Sequence, residues 1–287
     1  MKELLDDFLK HHNNPWKEVA DLYQAKELNQ DCLYGSQNEY VCSDDRLKII
    51  EYNKNVYVAA ENNPRKDELL KDIMITNIPA EPWGGNPFKA KLIILSLNPG
   101  YVPEVNNKLA KLLQSNAAIR KAIIEYKMDT LLFKTDYLLP PNDDIIQGCQ
   151  ISCKDAVNML GDWYWHKMLR QLREDVASQL NENEFYKRVA LVQYFGYSSQ
   201  TASRTLPHIP SQDFTKEMLH YIAANHKDEI CFLIMRSKKE WRSLLGEKFF
   251  DDYSDIIIFN DNPRCQYITE GNLGAKYADN IKKVFSK

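Results

Sequence analysis

A chain of 287 residues, 44% hydrophobic and 27% charged, holds enough apolar material for one large core or two modest ones. Its net charge of −3 argues against nonspecific coating of nucleic acid, which needs clustered Lys and Arg to neutralise phosphate. No run approaches the ~20 apolar residues that span a bilayer, and the acidic start lacks the basic-then-apolar form of a secretory signal, so a cytoplasmic protein with no membrane partner is expected.

Residues 1–30 read as helical. Leu4, Leu5, Phe8 and Leu9 share one face, and Val19, Ala20, Leu22 and Tyr23 another. Asn13-Asn14-Pro15 separates the two, with Pro15 as a first helical residue. Over 47–60 the period changes, and two β-rich runs around Asn53-Lys54-Asn55 predict a hairpin. Residues 1–78 carry no catalytic motif. They are expected to be an N-terminal helical and hairpin extension, packing or a lid, on a main domain of 79–287. Residues 79–90, with Trp83, Gly84, Gly85 and Phe88, form a loop by composition, pinned by buried aromatics or bringing backbone close to a ligand.

Leu92-Ile93-Ile94-Leu95 continues the chain without in/out alternation, as a central parallel strand does when both faces are covered. The run stops on Asn98-Pro99-Gly100, which presents Asn98 where the strand ends. In open α/β sheets that edge is where ligands sit; a strand and turn without function is the competing reading. A helix is predicted over 104–128, an irregular stretch over 129–154 and a further helix over 155–180. Trp163, Tyr164 and Trp165 in the latter read as core rather than as a stacking platform. Strand-like runs follow at 188–195, 230–236 and 255–260, separated by helices near 212–226 and 238–249, the second with Ser237 as N-cap. Strands alternating with helices mean parallel crossovers. The expected fold is therefore α/β with at least four parallel strands.

Asn98, Gln193 with Tyr194, Arg236 with Ser237, and the loop from Asn260 to Gly274 would then meet on one edge. Asn262-Pro263 repeats Asn98-Pro99. His208 lies in a loop on that edge and reads as solvated or structural. The six cysteines form no disulfide framework in a chain this long. Cys149 and Cys153 are the close pair, with Cys32 and Cys42 as possible companions. Their spacing is not a standard zinc or iron–sulfur pattern, so free thiols, no metal and no cofactor are expected.

This arrangement resembles the uracil-DNA glycosylase superfamily, and most closely its mismatch-specific Asn-Pro-Gly class. The resemblance spans about residues 80–285. The family's first motif, Gly-Ile/Met-Asn-Pro-Gly, matches Ser96-Leu97-Asn98-Pro99-Gly100, with Ser in place of the leading Gly. Its second, His-Pro-Ser or Asn-Pro-Ser, matches Asn262-Pro263-Arg264, with Arg in place of Ser. The resemblance implies a three-layer αβα sandwich around a four-stranded parallel sheet, with one motif after the first strand and one after the last. It implies a hydrolase that cuts the N-glycosidic bond of a uracil-type or otherwise damaged base taken out of the stack. Asn98 would orient the attacking water, and Asn262 would donate to the base or hold its loop against phosphate. Gly100, Tyr101, Phe88, Gln193 and Tyr194 would contact the base, with Gly100 replacing a bulky Tyr. Arg264, Arg236 and Ser96 would meet phosphate. The partner implied is DNA or a nucleotide-like ligand, with a basic rim from Lys89, Arg204, Arg236, Lys238, Lys239 and Arg264. Neither motif holds a titratable group. The alternative is a fold-retaining, inactive binding module for nucleic acid, a nucleotide or a protein.

Overall fold

The computed structural model describes residues 2–26, 38–139, 167–202, 206–260, 262 and 265–286. Its centre is a mixed five-stranded sheet: β1 Trp83–Gly84, β2 Leu92–Ser96, β3 Val189–Gln193, β4 Cys231–Ile234 and β5 Ile257–Phe259, in the order β1-β3-β2-β4-β5. The four longer strands are parallel, and β1 pairs antiparallel with β3. The expectation of a purely four-stranded parallel sheet is thus corrected by an edge strand of two residues, too short to leave a pattern.

The side chains of β2 alternate between two separate cores, and all of Leu92, Ile93, Ile94 and Leu95 are fully buried. Ile93 and Leu95 enter a cluster with Phe8, Trp16, Tyr23, Ile49, Leu219 and Trp241. Leu92 and Ile94 enter another with Leu172, Phe185, Tyr277 and Ile281. Helical layers cover both faces, which is why the strands read as continuous apolar runs. Residues 8–74 share the first cluster with the strands, so this N-terminal stretch packs directly on the sheet.

In the first layer α1 spans Lys2–His11, α2 Lys17–Lys26, α3 Arg46–Ala60 and α4 Lys66–Leu70. Pro15 is not the first helical residue. Asn14 Oδ1 accepts the Trp16 N–H at 3.0 Å, and the helix starts at Lys17. The predicted hairpin at 47–60 is instead α3. Its buried residues Ile49, Tyr52, Asn53, Val56 and Ala60 follow the 3.6-residue period. Asn53 marks no turn. It exchanges two hydrogen bonds with the Met74 main chain, at 2.8 and 2.9 Å.

The 104–128 helix is two, α5 Pro103–Ser115 and α6 Ala117–Leu131, split where Asn116 accepts from the N–H groups of Ala118 and Ile119. Part of the predicted 155–180 helix, with Trp163, Tyr164 and Trp165, lies outside the described residues. Its remainder contains α7 Arg170–Val176, followed by α8 Glu182–Lys187. After β3 come α9 Ser211–His226, α10 Lys238–Leu245 and α11 Glu247–Asp252. Ser237 precedes α10 with a left-handed φ of 61° and makes no side-chain capping bond. The chain closes with α12 Glu270–Leu273, a π-helical segment Tyr277–Lys282 and a last turn Lys283–Phe285.

The loop before β2 is held rigidly. Trp83 stacks on Phe133 with ring centroids 4.5 Å apart, and its Nε1 donates to the Thr130 carbonyl at 2.7 Å. Gly85 has φ +71°, and a Cβ there would lie 2.7 Å from the Val189 carbonyl oxygen. The glycines bring backbone close to the sheet and to Leu138. Gly85→Ala is expected to lower stability by about 2 kcal/mol or more, measured by urea unfolding, because left-handed strain and a backbone collision add.

Candidate functional site

The order of the parallel strands places a switch point at β2. The chain leaves β2 for β3 on one side, then crosses to β4 on the other. In such sheets the crevice at the carboxyl ends near this point receives ligands. A cleft of about 580 Å³ lies there, a volume suited to a small molecule or one extruded nucleotide. Its floor is Ser96, Leu97, Asn98 and Gly100 from the end of β2. One wall is Gln193 with Ser198 and Ser199, another is Arg236 with Gln266, and Glu81 and Lys127 stand beside them.

Asn98 is fixed by acceptors. Its Nδ2 donates to Ser199 Oγ at 2.8 Å, and the carbonyls of Pro99 and Tyr197 lie 3.2 and 3.4 Å away. Ser199 in turn donates its hydroxyl proton to the Thr201 carbonyl, so Oγ keeps a lone pair for Asn98. Three acceptors around one amide group fix which end is nitrogen. Oδ1 is thereby left as an acceptor with no partner among the described residues.

The loop that builds this cradle is anchored by the N-terminal region. The Ile75 N–H donates to the Ser198 carbonyl at 2.8 Å, the Thr201 N–H to the Lys71 carbonyl at 3.0 Å, and Thr201 Oγ1 to the buried Asp72 carboxylate at 2.6 Å. The Tyr197 hydroxyl donates to Asp45 Oδ2 at 2.7 Å. Residues 38–78 therefore act on the cleft as scaffold, and Ile78 reaches its lining.

Gln193 is buried, and its Oε1 has no hydrogen-bond partner. A buried amide oxygen left unpaired costs about 1–3 kcal/mol. Arg236 is exposed, and its guanidinium donates to the Gln266 side-chain carbonyl when that amide is oriented to suit it. Glu81 and Lys127 form an ion pair. Among the described lining residues, Arg236, Lys127 and Glu81 sum to one net positive charge.

Of the residues singled out from the sequence, Ser96, Asn98, Gly100, Gln193 and Arg236 share the cleft. Gly100 leaves open space, since a Cβ there would meet nothing within 4 Å, and its φ is not left-handed. The others do not join them. Phe88 is in the core, against Phe8 and Phe133. The Tyr194 ring packs edge-on against Trp241 at 5.6 Å. Tyr101 pairs its N–H with the Ser199 carbonyl at 2.9 Å, and its ring is off the lining. Asn262 is exposed and also off the lining; its N–H donates to Asn260 Oδ1 at 3.1 Å. For Phe88 and Tyr194, burial of an apolar ring outweighs display in a cleft. Arg264 and Arg204 lie outside the described residues.

Of the expected basic rim, Arg236 is on the lining among the described residues. Lys89 pairs with Asp136 at 2.7 Å, and Lys238 sits over the Phe259 ring at 4.0 Å. His208 meets Asp213 at 3.2 Å on the surface. Cys32, Cys149 and Cys153 lie outside the described residues, and Cys42 Sγ donates to the Pro15 carbonyl. Among the described residues no helix is long and apolar enough to cross a membrane.

Glu81, Lys127 and Ser199 escaped the sequence reading, while Gln266 comes from the 260–274 loop expected on this edge. Glu81 lies in the loop 79–90 and Ser199 just past β3, both next to features that drew notice. Lys127 left no local signal. No protein-family model matches the chain, and no curated protein or solved structure matches it either.

Proposed function

We propose that the cleft is the active site of a hydrolase resembling the uracil-DNA glycosylases, which cleaves the N-glycosidic bond of a uracil-type or other damaged base. The observation that carries this reading is the Asn98 amide on the cleft lining, tied through Nδ2 with Oδ1 unpartnered among the described residues. An amide cannot act as a base, but a fixed acceptor oxygen holds a water by one O–H and aims its lone pair. The bond from sugar to base nitrogen breaks with its electron pair going to the base, and the water oxygen bonds to the sugar carbon. Glu81, the carboxylate on the lining, supplies the proton acceptor that Asn98 is not. Gln193 contacts the base through its side-chain amide, and Arg236 meets the negative charge of the leaving base or a phosphate. The partner is then DNA or a nucleotide-like ligand. A single net positive charge suits one extruded nucleotide. Buried thiols at Cys42 and Cys231 suit a reducing, cytoplasmic setting.

The alternative, a binding module that keeps the fold without the reaction, is favoured by Asn262. Its side chain lies off the lining, so Asn262 itself brings no group to the chemistry.

The test is incubation with labelled oligonucleotides carrying uracil, hypoxanthine, xanthine or mismatched thymine, single- and double-stranded, beside the free nucleosides. Base release that falls about 10²–10³-fold in Asn98→Ala, in a variant of unchanged fold, is expected. Base binding by calorimetry without release from any substrate would replace the hydrolase by the binding module.

A further inference from the structure

A second, smaller cavity of about 100 Å³ adjoins the cleft and shares Glu81, Lys127, Leu191 and Gln193 with it. Its own walls include the aliphatic Ala80, Leu131, Leu138 and Leu139 beside Trp83, Gly84, Tyr126 and Thr130. The polar groups along it are already paired. Trp83 Nε1 donates to the Thr130 carbonyl at 2.7 Å, Thr130 Oγ1 to the Tyr126 carbonyl at 2.8 Å and the Tyr126 hydroxyl to the Leu138 carbonyl at 2.7 Å. Apart from the Glu81–Lys127 ion pair on the side it shares with the cleft, the chamber offers a guest mainly apolar contact. Gln193 lines both spaces and is 6% exposed.

A mainly apolar hollow beside the Gln193 amide describes its occupant. We infer that the cleft's ligand is a heterocycle that hydrogen-bonds the Gln193 side-chain amide and carries a short aliphatic substituent filling this chamber. The inference rests on reading the cleft as a base pocket and narrows it to an alkyl-substituted base. Size sets the substituent. A cavity of about 150 Å³ holds benzene, so 100 Å³ takes three or four carbons and refuses a phenyl ring.

The experiment is calorimetry of the full chain with uracil and its 5- and 6-propyl and phenyl derivatives. Each buried carbon is worth about fourfold in affinity, so one propyl isomer is expected to bind roughly 50-fold tighter than uracil, with the matching phenyl compound losing that gain. Ala80→Leu, which fills the chamber, should bring the propyl compound back to the affinity of uracil; Leu139→Phe does the same from a different segment should the first variant not fold. Propyl isomers no tighter than uracil, or a gain that survives both fillings, overturn the inference. A second arm separates it from the function reading. In xenon-saturated buffer the methyl resonances of Leu131, Leu138 and Leu191 should shift in the wild type and not in Ala80→Leu. Xenon shifts without binding of any base would sink the base-pocket reading and leave the chamber as an apolar site. Silent methyls would sink the chamber.

Discussion

Replacing Asn98 by Asp is expected to abolish base release and to destabilise the protein by about 2 kcal/mol at neutral pH. A carboxylate at a water-positioning site ordinarily suggests a better base, so the opposite sign is informative. Asn98 Nδ2 faces Ser199 Oγ and the carbonyls of Pro99 and Tyr197, all acceptors. A carboxylate in its place would set an anionic oxygen against these lone pairs with no donor between them, because the Ser199 proton is committed to Thr201. The introduced group is then easier to protonate folded than unfolded. Its folded-state pKa is raised, so stability is retained below the unfolded value and lost as pH rises through the raised one. Thermal unfolding of Asn98→Asp at pH 4 and pH 8 should show the gap from wild type widening with pH. A variant equally stable at both, or more active than wild type, would mean that the cradle does not orient this side chain. Ser199→Ala tests the same cradle from its other side. It removes the Asn98 acceptor, and the expected loss falls on turnover rather than on substrate affinity.

How much of this was legible beforehand depends on where each signal resides. The β2, β3 and β4 strands are visible because both faces are buried, so Leu92–Leu95, Val189–Val192 and Cys231–Ile234 have no polar residue to blur them. Crossover helices follow from the alternation, and Asn98 and Arg236 meet because strand ends in a parallel sheet share an edge. The failures are tertiary. Asn53-Lys54-Asn55 has the local chemistry of a turn, yet Asn53 is buried in a helix whose packing on Met74 repays its poor propensity. Strand β1 exists because Trp83 and Gly84 find Val192 and Leu191 across the sheet, which two residues cannot announce. In the cleft, Ser199 and Glu81 depend on backbone contacts to segments far away in sequence. Glu81 is set by its N–H bond to the Gly196 carbonyl at 2.8 Å.

Asp45 carries the other large effect, and it links stability to the cleft. It precedes α3 but makes no side-chain cap there. Its carboxylate is fully buried and instead takes the Ser211 N–H, the first of α9, at 2.9 Å and the Tyr197 hydroxyl at 2.7 Å. That hydroxyl also accepts the Cys42 N–H at 3.2 Å. Asp45→Ala leaves two buried donors unpaired, at about 1–3 kcal/mol each, so a loss of roughly 4 kcal/mol is expected by urea unfolding. Asp45→Asn keeps an acceptor for one of them and should cost about 1–2 kcal/mol. Burial raises the Asp45 carboxyl above its ordinary value, against the lowering pull of the Ser211 and Tyr197 hydrogen bonds. The sign follows: the contribution of Asp45 is fullest below the unfolded value and declines as pH rises through the raised one. The difference between wild type and Asp45→Asn should therefore be largest in acid and shrink toward neutrality. A difference that grows with pH would mean that the hydrogen bonds, not burial, dominate. Because the Tyr197 carbonyl helps to hold Asn98, Asp45→Ala should also lower turnover in the fraction still folded. Unchanged turnover per folded molecule would confine the network to stability and leave Ser199 as the side chain that orients Asn98.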